Sequence, residues 1–67
     1  MGGLTIWEAW TEHNGESKYF KSQLKALVYM WDEYMRTFED YCPEDWTELF
    51  EHNRIEGFGE IWEVEVN

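Results

Sequence analysis

Sixty-seven residues, 15 acidic and 5 basic, give a formal net charge of −10 and a pI near 4.3. That length holds one small domain over 1–67 and leaves little scaffold for a catalytic cleft. The charge excludes ordinary binding to DNA, RNA or an anionic membrane surface, which rests on Lys and Arg. At 43% hydrophobic and 19% aromatic, the chain is still expected to fold rather than stay disordered.

The first segment, LTIWEAW at residues 4–10, admits two readings. Its β-branched and aromatic residues suit a strand. Thr5-Ile6-Trp7-Glu8 also fits a helical capping box, with Asn14-Gly15 as its C-terminal cap. Asn14-Gly15 equally suits a hairpin turn. Next, Phe20, Leu24, Leu27, Val28, Trp31, Tyr34, Met35, Phe38 and Tyr41 recur at helical steps. They predict one long amphipathic helix over about 18–41. Ser17 suits its N-cap and Asp32 can pair with Arg36 at i,i+4. Pro43 ends this helix and opens a second over about 43–52, with Trp46, Leu49 and Phe50 on one face. Gly57 and Gly59 mark a turn.

The tail, EIWEVEV, alternates over 60–66, with Trp62, Val64 and Val66 on one side and Ile61, Glu63 and Glu65 on the other. A strand needs a partner for its backbone, and residues 4–10 supply one. The expected fold is therefore α+β, ordered β-α-α-β, with a terminal antiparallel strand pair. Trp31, Trp46 and Trp62 are expected in the core. Trp7 and Trp10 fall on opposite faces of their strand, so one of them is exposed.

Catalytic chemistry has little to build on. Cys42 is the one cysteine, which excludes an internal disulfide and fits a reducing cytosol. His13 and His52 lack any metal-ligand spacing and read as surface residues. No enzyme activity, metal or cofactor is expected. The start, MGGLTIWEAW, has no basic region or cleavage site, and Ile6 stands where a myristoylation motif has Ser or Thr. No apolar run is long enough to span a bilayer.

The acids carry the functional reading. Residues 1–25 are neutral, so all ten net charges fall in 26–67. Glu44, Glu48 and Glu51 recur along one helix face, about 4.5–6 Å apart in rise. Glu63 and Glu65 share a strand face about 6.8 Å apart. Asp32, Glu33, Glu39, Asp40 and Asp45 extend the charge. Neighbouring phosphates on one DNA strand rise about 3.4 Å, so such rows can present a comparable series of negative charges.

Small acidic, aromatic-rich chains of this kind resemble the DNA-mimic inhibitors of bacteriophages and mobile elements. Within HNRIEGFGEIWEV, Ile55 to Gly59 resembles the acidic Glu-Gly-Phe segment of the antirestriction protein family. That resemblance implies a basic DNA-binding host protein as partner: a restriction enzyme, nucleoid protein, glycosylase, nuclease complex or RNA polymerase. The alternative is an interaction module that binds through exposed aromatics, its acidity serving solubility. A core this small also leads us to expect a homodimer.

Overall fold

The computed structural model describes residues 4–66; Met1–Gly3, on which the leader and lipidation readings turn, and Asn67 lie outside them. The elements run β1 (Leu4–Thr11), β2 (Ser17–Phe20), α1 (Gln23–Thr37), α2 (Asp45–His52), β3 (Arg54–Ile55) and β4 (Gly59–Val66). They form an α+β fold whose four-stranded sheet has the order β2-β1-β4-β3.

The terminal strand pair is present as expected. β1 and β4 pair antiparallel from Leu4↔Val66 to Thr11↔Gly59. Asn14-Gly15 turns the chain, with Gly15 at φ +67 and its N–H donating to Thr11 O at 2.8 Å. This returns residues 17–20 along β1, where Phe20 pairs with Trp7. Residues 18–20 are thus strand, not the start of the long helix. Phe20 misleads because its position fits the phase of Leu24 and Leu27, yet its ring reaches the helix from the sheet, 5.1 Å from Tyr29.

The true N-cap is Ser22, whose extended backbone lets its Oγ accept from Lys25 N–H at 3.3 Å. α1 ends at Thr37 rather than Tyr41. Phe38 is extended, although its N–H still donates to Tyr34 O at 3.0 Å. Phe38 and Tyr41 continue the aromatic series from the loop, stacking near Tyr34 and Trp31. α2 follows a tight turn over Cys42–Asp45 and ends at Asn53, which takes the left-handed conformation and donates its N–H to Leu49 O. Asn53 also joins three elements. Its Oδ1 accepts from Gln23 Nε2 at 2.9 Å, and its carbonyl accepts from Ile61 N–H at 2.7 Å.

Both helices lie on one face of the sheet. The core is Ala9, Ala26, Leu27, Met30, Leu49, Ile55, Phe58 and Ile61. Gly59 permits the close approach of β4 to β1 and α1. A Cβ there would stand 2.4 Å from Trp10 O and 3.0 Å from Met30 Sδ.

Two expectations about facing are corrected. In β4 it is Ile61 that enters the core, at 4% exposed, while Trp62 lies outside at 38%. Ile61 aligns with Ala9, and that register fixes the parity of the whole strand. In α1 the buried face is Ala26, Leu27 and Met30, whereas Leu24 and Val28 are 60% and 53% exposed. Apolar residues cover so much of this helix that periodicity alone does not choose the inner side. Trp31, Trp46 and Trp7 pack against the core as half-buried rings; Trp10 lies on the opposite side of β1.

Candidate functional site

The ten carboxylates read as a binding surface do not form one continuous row. Among the described residues, Arg36 pairs with Asp32 and with Glu33, the latter at 3.4 Å. Glu33 also accepts from Asn14 Nδ2 at 3.4 Å. Asp45 accepts the phenolic hydrogen of Tyr34, tying α2 to α1. Glu33 and Asp45 are tied into the fold, whereas the Asp32–Arg36 pair lies on the exposed surface of α1. Glu39, Asp40 and Glu44 are exposed along the α1–α2 connection, and Glu48 and Glu51 continue the series on α2. Among the described residues, the one basic side chain within 4 Å of this stretch is the imidazole of His52, 3.9 Å from Glu51.

Glu63 and Glu65 form a separate site. They lie on the helix-facing side of β4, opposite Trp7 and Thr5, and both remain exposed. The helices therefore leave this end of the sheet uncovered. The parity that places Ile61 in the core places these two carboxylates on the same side as the helices.

A third acidic cluster escapes sequence reading. Glu12, Glu56 and Glu60 line a shallow depression of about 230 Å³ together with Arg54 and Trp10. Glu12 belongs to the segment that is neutral in sequence, but its N–H donates to Phe58 O at 2.8 Å and fixes it beside the β3–β4 turn. The β1–β4 register creates this cluster, since it sets Trp10 against Glu60 and Thr11 against Gly59. The charge asymmetry along the chain is thus not a division between two halves of the molecule. Ile55 to Gly59 form the wall of this depression.

The lysines gather elsewhere. Lys18, Lys21 and Lys25 lie on β2 and around the start of α1, without a carboxylate within 4 Å among the described residues. The phenol of Tyr34 has its pKa pushed up to about 12, first by its hydrogen bond to Asp45 and then by partial burial and the Asp45 charge. Tyr29 is raised as well, first by burial and then by Glu33.

Cys42 is exposed. Among the described residues, no group of three or more His, Cys, Asp or Glu side chains is arranged to hold a metal ion, and no helix is long and apolar enough to cross a membrane. Comparison with known proteins gave no match to a family model, a curated protein or a solved structure.

Proposed function

We propose that the protein is a cytoplasmic DNA-mimic inhibitor, which occupies the DNA groove of a basic host protein and blocks its binding to DNA. The observation that carries this reading is charge set against length. The molecule extends 46 × 23 × 16 Å. One DNA strand of that length carries roughly 14 phosphates, at about 3.4 Å each. This chain carries 15 carboxylates, and most have no cation beside them. A basic groove would draw in such a rod by long-range attraction and pair with its exposed acids. Glu39, Glu44, Glu48, Glu51, Glu63 and Glu65 are the acids best placed for this.

The uncovered face of the sheet favours a second reading, an interaction module. Leu4, Ile6, Val64, Val66 and Trp62 share that face, and Leu4 and Val66 are well exposed. Aromatic and aliphatic anchors of this kind dominate many interfaces.

The experiment is displacement of a labelled duplex from a panel of basic DNA-binding proteins, across a salt series. Displacement of the duplex from one of them, weakening steeply with salt, is expected. Glu44→Lys/Glu48→Lys and Glu63→Lys/Glu65→Lys should each weaken it by at least about tenfold. His13→Lys/Glu16→Lys, in the β1–β2 loop, should change it by about twofold or less. Binding that survives molar salt and is lost with Trp62→Ala overturns the mimic reading in favour of the second.

A further inference from the structure

Leu24, Val28, Trp31 and Met35 follow one another at steps of 4, 3 and 4 along α1, Leu24 and Val28 exposed, Met35 half-buried, and Trp31 half-buried where it stacks on Tyr34, Tyr41 and Trp46. That is the spacing of a coiled-coil seam. Leu24 and Val28 are 60% and 53% exposed, and the row lines an open groove of about 530 Å³. On one side the seam is flanked by Leu27 and Tyr34, which pack into the protein's own core. On the other side it is flanked by Lys25 and Asp32, one heptad apart and both exposed.

We infer that a second copy of this chain covers this row, its α1 running antiparallel to the first about a twofold axis. The flanks decide the direction. A parallel pair would set the Lys25–Asp32 flank against the Leu27–Tyr34 flank, which the fold has already buried. An antiparallel pair sets like flanks together, so Lys25 of each copy meets Asp32 of the other. The seam then layers Leu24 on Met35 and Val28 on Trp31. Opposite charges thus meet at both ends of the contact, and a twofold contact closes without leading to a filament.

Asp32 already holds Arg36. Glu33 shares that guanidinium, so the Asp32–Glu33–Arg36 group keeps a net negative charge for Lys25 of the second copy. The uncovered sheet face is a poorer surface for self-association. Glu8 and Glu60 lie among its apolar rows, and stacking two copies would gather four carboxylates there. The inference is independent of the proposed inhibitor function, and its failure would leave that reading standing.

Sedimentation equilibrium of the full chain tests it. Mass should rise from 8.2 kDa towards twice that value at micromolar concentration. Val28→Asp and Leu24→Lys, both at exposed positions, should each return the monomer with an unchanged circular dichroism spectrum. The charge variants test the direction. Lys25→Asp and Asp32→Lys should each weaken the dimer by at least about tenfold, and the double variant Lys25→Asp/Asp32→Lys should restore it. Asp32→Lys is the most telling, because it reduces the net charge; if general self-repulsion governed association, this variant would strengthen the dimer. A monomer at all concentrations overturns the inference. So does a dimer indifferent to Val28→Asp, or a charge swap that fails to restore association.

Discussion

The indole Nε1 of Trp62 donates to Oε1 of Glu8 at 3.1 Å, joining residues 54 apart in the chain. The two are cross-strand partners in the β1–β4 register, on the side of the sheet away from the helices. A large aromatic ring thus lies half in solvent, while the smaller Ile61 beside it enters the core. A charged partner explains the arrangement: outside the core the indole N–H keeps a hydrogen bond to the Glu8 carboxylate.

This parity has a direct consequence for stability. Ile61→Ala should cost about 2–4 kcal/mol, because it opens a void against Ala9, Leu27 and Met30 in a filled core. Trp62→Thr should cost about 1 kcal/mol or less, since threonine suits an exposed strand and the cross-strand pair contributes little. Urea denaturation of both variants checks the order. If the tryptophan is the costlier loss, β4 faces the other way.

Which parts of this fold were legible follows from the kind of signal each left. The β4 alternation and the pairing of 4–10 with 60–66 were visible because a lone strand demands a partner. Pro43 marked the break between helices, and Asn53 closes α2 close to where its apolar face fades. The β2 strand was hidden. Its four residues are too few for a period, and Phe20 matches the helical phase that follows. Its evidence lies in the Asn14-Gly15 turn, which sequence alone could equally read as a helix cap. The acidic surface was legible as residue types but not as places. Nothing local shows that Tyr34 commits Asp45, or that Glu12 adjoins Glu56 and Glu60. Those neighbours depend on long-range register.

The misplaced helix start can be measured. Ser22→Ala should destabilise the protein by about 1 kcal/mol, because it removes the acceptor for Lys25 N–H. Ser17→Ala should change stability by about 0.5 kcal/mol or less, since Ser17 opens an edge strand and caps no helix. Chemical denaturation at equal ionic strength distinguishes the two. Equal costs would mean that the helix begins one turn or more earlier.

The contact between Tyr34 and Asp45 sets the behaviour in alkali. A phenol in an unfolded chain titrates near pH 10. In the fold Tyr34 holds its proton up to about 12, because deprotonation would forfeit the bond to Asp45 and set two anions together. The native state therefore binds more protons than the unfolded state across that interval, and stability must fall as pH rises through it. Below pH 10 the contribution is complete, so the neutral range should be flat with respect to this group. The loss should develop between about pH 10 and 12. Tyr34→Phe should cost about 0.5–1.5 kcal/mol at neutral pH, where the hydrogen bond is lost. It should also remove most of the difference in stability between neutral pH and about pH 11. A smaller remainder is expected from Tyr29, whose pKa is raised in the same direction by burial and Glu33. Asp45→Asn keeps an acceptor but removes the charge, so the Tyr34 titration should move back towards 10 while the fold persists. Tyrosinate absorbance titration, paired with urea denaturation at the two pH values, follows both effects. A Tyr34→Phe protein with the same alkaline loss as the parent would show that the α1–α2 contact does not carry it.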